Sequence, residues 1–168
     1  IVDILGKYGI KCLFFCTGKQ VHQYPGLINL LTSHGHLIGN HGYYHPDGWK
    51  MHVNDYLEDI EMAAGVIDSR FFRPPFGRMR PAQFRELKKR FVIFLWDIMA
   101  YDFDRGFGSG RSLRILKKNL RPGSVIVLHD SPSSSSGEFL EEFLNYALSL
   151  GYSFKVPETK MKQAAGHS

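Results

Sequence analysis

The sequence predicts an α/β fold built on a parallel sheet, and three observations carry that reading. Strand-like and helix-like segments alternate along the whole chain. Two of the strand-like runs, FVIFLWD (91–97) and SVIVLH (124–129), are continuously apolar, as strands buried on both faces are. The residues with chemical character fall just past the C-terminal ends of those strands, where parallel α/β folds keep their active sites.

The elements follow in order. IVDILGKYG opens the chain with Ile1, Ile4, Leu5 and Tyr8 on one helical face and Gly9 as a stop. KCLFFCTG (11–18) reads as a strand, and 21–34 as a helix broken into at Pro25. HLIG (36–39) is a short strand leading to a polar, aromatic loop through residue 54. Asp55 to Ile67 is the clearest amphipathic helix, with Tyr56, Leu57, Ile60, Ala63, Ala64 and Ile67 on one face and Asn54 or Asp55 as its cap. FFR (71–73) is a brief strand stopped by two prolines, and 81–90 is a helix with Pro81 at its first position. After the run 91–97, a glycine-rich loop precedes a basic helix near 111–120. After the run 124–129, SPSSSSG (131–137) reads as a flexible loop, 138–150 as a helix and YSFKV (152–156) as a last strand. This makes six strands in one domain, 1–157, with 158–168 as a disordered tail. The opening helix has no strand to cross over from, which hints at a missing first strand. A βα barrel and an open doubly wound sheet both fit; the absence of a glycine-rich dinucleotide fingerprint disfavours a Rossmann fold.

Composition narrows the function classes. The 168 residues are 43% hydrophobic and 22% charged, ordinary for a globular domain. The formal charge of +5 comes from scattered basic residues, without a stripe interleaved with aromatics, so nucleic-acid binding is not expected. An acidic glycan would suit the charge. No apolar stretch is long enough to span a membrane. Cys12 and Cys16, four apart on a strand, would lie roughly 13 Å apart, too far for a disulfide, and read as buried thiols.

Four strand ends carry the chemistry. His41 and His45 form an H-x-x-x-H pair among Gly39, Gly42 and Pro46, a constrained turn that can bring two imidazoles to one metal. Asp47 is nearby, with no reason to select it as a third ligand. Arg73 is held before a Pro-Pro pair that forces extended backbone; taken alone it is better explained by a structural ion pair. His129 ends an apolar strand beside Asp130. It reads either as a histidine satisfied by a backbone carbonyl or as a general acid supported by a carboxylate.

The series GHLIGNHGYYH (35–45), FFRPPFG (71–77), LWDIMAYDF (95–103) and VLHD (127–130) resembles the polysaccharide deacetylases of the NodB-homology type, carbohydrate esterase family 4. Four of that family's five motifs occur in order, and IVDILGKYGIKCLFFCTG resembles its first helix and second strand. The resemblance implies a distorted barrel of seven β/α units, here missing its first strand, and hydrolysis of N-acetyl, or sometimes O-acetyl, groups on a glycan or N-acetylated sugar. By residue, it implies His41 and His45 as metal ligands, Arg73 as the orienter of a catalytic aspartate, His129 as the general acid and Asp102 as the carboxylate that tunes it. Pro75, Phe76, Phe103 and Leu128 would line the substrate site, with the Phe76 N–H facing the oxyanion. The metal would be zinc, with cobalt, nickel or iron also compatible with two imidazoles and a carboxylate. A secreted or cell-envelope setting is favoured; the oligomeric state is open.

The departures are as specific. The family's Asp-Asp motif, which supplies the base and a third metal ligand, is not in these residues, so the chain as written is expected to be inactive and to bind metal weakly. Gly42 replaces a usual Ser or Thr, which is expected to loosen the histidine loop; Phe76 replaces Tyr, Phe103 replaces Trp and Met99 an Asp. Three other readings remain: a degenerate member that only binds glycan, or a truncated gene product; a related barrel amidase acting on a small cyclic amide; and a purely structural or interaction module, which leaves His41, His45, Arg73 and His129 without a shared purpose.

Overall fold

The computed structural model describes residues 1–157; the tail reading at 158–168 falls outside the described residues. Helices and strands alternate as α1 (Val2–Lys7), β1 (Leu13–Cys16), α2 (Gly18–Gln23), α3 (Leu27–Ser33), β2 (Leu37–Asn40), α4 (Val53–Ala64), β3 (Phe71–Phe72), α5 (Pro81–Leu87), β4 (Val92–Ile93), β5 (Ile98–Met99), α6 (Ser109–Asn119), β6 (Ile126–Val127) and α7 (Ser136–Ser149). Every strand pair is parallel. β1 to β4 form one sheet in chain order, with Leu13 opposite Leu37 and Phe71 opposite Val92, and β5 pairs with β6 through Ile98 opposite Ile126. Parallel pairing puts the C-terminal ends of β2 and β3 on one side of their sheet, and those of β5 and β6 on one side of theirs.

Local chemistry explains most boundaries. The expected single helix at 21–34 is two: Thr17 caps α2 by accepting the Gln20 N–H, and Pro25 separates α2 from α3. α4 starts earlier than expected, with His52 at its N-cap; Asn54 and Asp55 lie inside the first turn, where the Asp55 charge complements the helix dipole instead of capping it. Pro81 opens α5 as expected.

Two strand readings are corrected. The run 91–97 is not one strand buried on both faces. It pairs first with β3, the Phe94 N–H still reaching the Phe72 carbonyl at 2.8 Å, then bends and pairs with the strand before α7. There the Asp97 and Ile98 N–H groups both donate to Val125 at 3.0 and 3.2 Å. A corner of this kind turns alternate side chains outward, so Leu95 is 51% exposed; Val125, on the partner strand, is 45% exposed. Residues 152–156 form no strand. Six strands are present among the described residues, but Ile98–Met99 takes the place expected for the last one.

The core divides by layer. α1, α6 and α7 cover β5 and β6 through Leu5, Ile98, Leu116, Phe139, Phe143 and Leu144. α4 and α5 cover β3 through Tyr56, Ile60, Phe72, Leu87 and Phe91. α2 and α3 cover β1 through Cys16, Val21 and Leu31. Both cysteines are free, and burial pushes each thiol up to about 11.

Candidate active site

His41 and His45 come together as their spacing suggested: their rings lie 4.8 Å apart, nearly perpendicular. His41 directly follows β2 and is buried. Its Nδ1–H donates to the Arg73 carbonyl at 2.6 Å, so its Nε2 carries the free lone pair. Burial, and after it the Arg73 charge, holds the His41 imidazole well below its ordinary value, against that hydrogen bond. Burial and the charges of Arg73 and His129 lower His45 in the same way. Both rings are therefore neutral at pH 7, the form that ligates metals.

Arg73 follows β3. Its N–H donates to the Asn40 carbonyl at 3.0 Å, and its guanidinium lies over the Phe15 ring at 4.8 Å. Burial brings it down to about 10, while Asp102 pulls the other way; it remains a cation at neutral pH. The prolines lead into a tight turn, Pro75–Gly77, in which Phe76 takes a left-handed φ of 57°. Pro75 is buried, whereas Phe76 is 54% exposed with its ring 4.6 Å from His45. Gly77 also has positive φ, 67°, and an added Cβ would stand 2.6 Å from the Trp96 ring.

The partner of His129 is Asp102, not its neighbour Asp130, which is exposed. Asp102 is fully buried and accepts three hydrogen bonds: the His129 N–H at 2.6 Å, the His129 Nδ1–H at 3.0 Å and the Ser134 hydroxyl at 2.8 Å. Burial pushes this carboxyl up, but the bonds from the His129 ring, the His129 backbone and Ser134 outweigh it and hold the carboxyl below its usual range. With Nδ1 committed, Nε2 is the His129 nitrogen left for proton transfer. Phe103, 45% exposed, meets the His129 ring edge-to-face at 5.0 Å. Leu128 packs against the core under α6 and α7.

The structure also brings in residues that sequence reasoning passed over. The stretch 131–137 is not a free loop: Ser134 binds Asp102, the Ser135 N–H donates to the Asp102 carbonyl at 2.8 Å, and the Ser136 hydroxyl donates to the His129 carbonyl at 2.7 Å. A serine run reads as flexible because nothing in it reveals a buried acceptor nearby. Asp47 is engaged elsewhere, pairing with Arg78 at 3.1 Å. The loop between the histidines is tightly held, against the expectation for Gly42. Asn40 and Asp59, both buried, accept its N–H groups: Gly42 to Asn40 at 2.8 Å, Tyr43 and Tyr44 to Asp59 at 2.7 and 3.0 Å. Asp59 carried a signal, being a carboxylate on the buried face of α4, one turn from Tyr56 and Ala63.

The donor set suits a metal in part. Two neutral imidazoles lie edge to face beside one another, and the carbonyl behind His41 fixes its tautomer as outer-shell partners of metal-bound histidines do. Among the described residues no third His, Cys, Asp or Glu joins them. Two imidazoles are two of the donor types that a catalytic zinc takes.

Residues 1–91 match the family model described as polysaccharide deacetylase. Among curated relatives, the peptidoglycan-N-acetylglucosamine deacetylase of Bacillus cereus is 28% identical over 139 residues, covering 79% of this chain and 50% of that protein. The peptidoglycan-N-acetylmuramic acid deacetylase PdaA of Bacillus subtilis is 28% identical over 165 residues, covering 92% and 62%. The chain thus spans about half to three-fifths of the length of these relatives. Among solved structures, the Bc1960 peptidoglycan N-acetylglucosamine deacetylase superposes with a TM-score of 0.86 at 25% identity, covering 92% of this chain and 76% of that one. The BA3943 protein of Bacillus anthracis, described as a CE4 family pseudoenzyme, superposes at 0.79 with 21% identity, covering 91% and 56%. The fold is therefore the distorted βα barrel of the NodB type that the motifs implied.

Proposed function

The chain belongs to the polysaccharide deacetylase family, and on that premise we propose that it carries the acid half and the two imidazole ligands of a metal-dependent site that removes acetyl groups from an N-acetylated glycan. The observation that supports this most is the pairing of His129 with a fully buried Asp102 within electrostatic reach of the His41–His45 pair. His129 and Arg73 are near enough to that pair for their charges to act on it.

His41 and His45 would hold the metal, most suitably zinc; cobalt, nickel or iron would fit the same donors. When bound, it supplies polarisation of the acetyl carbonyl and a water of lowered pKa. The protein's own residues do the rest. Asp102 keeps the His129 Nδ1–H occupied, so Nε2 delivers its proton to the departing amine, which leaves poorly unless protonated. Arg73 provides a fixed positive charge beside Asp102 and both histidines, suited to orienting a carboxylate base. The Phe76 N–H, in a turn shaped by the prolines, faces the developing oxyanion. Pro75, Phe103 and Leu128 form the walls around the acetyl group.

The 168 residues contain no adjacent pair of aspartates, so a polypeptide of these residues alone is expected to release little acetate. The test is acetate release from N-acetylglucosamine oligomers and from peptidoglycan by the full-length protein, with His41→Ala and His129→Ala variants. Loss in both variants supports the reading. Full activity in both sinks it, and glycan binding without acetate release favours a member that only binds.

A further inference from the structure

Asp59 stands in the middle of α4, on the face that otherwise carries Tyr56, Ile60 and Ala63 into the core. It is 6% exposed, and among the described residues no Lys, Arg or His forms an ion pair with it. A buried carboxylate without a cation is costly, and an Ala would pack here without that cost. What Asp59 does instead is accept two consecutive backbone N–H groups, Tyr43 on Oδ1 at 2.7 Å and Tyr44 on Oδ2 at 3.0 Å. Both lie between His41 and His45.

The rest of the turn is built around that carboxylate. Gly42 has φ +73°, and a Cβ there would sit 2.7 Å from Asp59 Oδ1 and 2.9 Å from Pro46 Cδ, so no larger residue fits while Asp59 keeps its place. Asn40, fully buried, accepts the Gly42 N–H at 2.8 Å and donates to the Ile60 carbonyl at 3.0 Å, tying the turn to α4 a second time. On the other side, the Gly18 and Lys19 N–H groups donate to the Gly42 and Tyr43 carbonyls at 3.0 and 3.1 Å. His45 closes the turn at φ 61°, a left-handed conformation that is strained for a non-glycine residue and persists only where its surroundings impose it.

We propose that Asp59 is the positioning residue for the histidine pair: its carboxylate holds residues 42–45 in the shape that sets the His41 and His45 rings edge to face, 4.8 Å apart, and the pair's affinity for a metal depends on it. This rests on the reading of the pair as metal ligands. A carboxylate is suited to the task because each oxygen accepts one N–H. An amide offers one oxygen and turns its NH2 group toward the other donor.

The test uses the full-length protein and its Asp59→Asn variant, with Zn2+ affinity read by chelator competition and amide hydrogen exchange read at Tyr43 and Tyr44. The expected result is a tenfold to hundredfold loss of Zn2+ affinity with faster exchange at those two amides. A merely structural role would lower the melting temperature and leave the folded protein's affinity unchanged, which overturns the inference. Should Asp59→Asn fail to fold, Gly42→Ala displaces the same carboxylate and is read in the same way. A wild type without Zn2+ affinity, or one whose affinity survives His41→Ala and His45→Ala, overturns the reading of the pair itself and this inference with it.

Discussion

Replacing Asp102 with Asn keeps the shape of the side chain and removes its charge, which isolates what the buried carboxylate contributes. Three donors converge on it: the His129 N–H and the Ser134 hydroxyl on Oδ2, and the His129 Nδ1–H on Oδ1. An asparagine oxygen can replace Oδ2, but its NH2 group then faces Nδ1, and the ring must move its proton to Nε2. Hydrogen bonds to a charged group contribute about 1.5–3 kcal/mol, against about 0.5–1.5 for neutral ones. Losing the charge behind three of them, at about 1–1.5 kcal/mol each, therefore costs roughly 3–4.5 kcal/mol at pH 7. The carboxyl lies below its ordinary value of 3.8 in the folded protein. Its contribution is thus fully present above that value and is lost as pH falls through the depressed one. Urea unfolding of wild type and Asp102→Asn from pH 7 down to pH 2 reads this directly. The stability difference should be constant down to about pH 4 and shrink below it. A difference under about 0.5 kcal/mol at pH 7, or one independent of pH, refutes the account of Asp102 as an ionised acceptor.

Two further outcomes follow from geometry alone. Gly77→Ala should destabilise by about 2–4 kcal/mol, since Ala pays for the left-handed φ of 67° and its Cβ meets Trp96 at 2.6 Å. Urea unfolding with Trp fluorescence would show it, and a neutral substitution would mean that the turn moves freely. Cys12 and Cys16, with thiols pushed up to about 11 by burial, should react far more slowly with a disulfide reagent at pH 8 than a free thiol does. Both should react promptly in urea; fast labelling of the native protein at either site would contradict the burial.

Much of this protein was legible in its residue order because the relevant physics is local. Alternating apolar periods predicted parallel βα units, Gly9, Pro25 and Pro81 marked helix ends, and the titratable residues clustered after strands. The failures have a common form. The run 91–97 is apolar throughout, and apolarity does not say where a strand leaves one partner for another; that corner is set by Phe72 on one side and Val125 on the other. The serines at 134–136 look like solvent-exposed linker until a buried carboxylate and the His129 carbonyl are placed beside them. Gly42 looks like a loosening substitution until Asp59, 17 positions on, occupies the space a side chain would need.

The sequence by itself determined the family, the class of fold and which side chains could do acid or ligand chemistry, because motif order, periodicity and residue type are properties of the chain. The tertiary structure decided the remaining partnerships. It gave the Arg73 carbonyl to His41 and Asp59 to the turn between the histidines, and it forms the Asp102–His129 bond that the family resemblance, rather than the local pattern around Asp130, had implied. Each is a hydrogen bond between groups 16 to 32 residues apart. Contacts at that separation depend on how strands and helices stack in space, which no local pattern encodes.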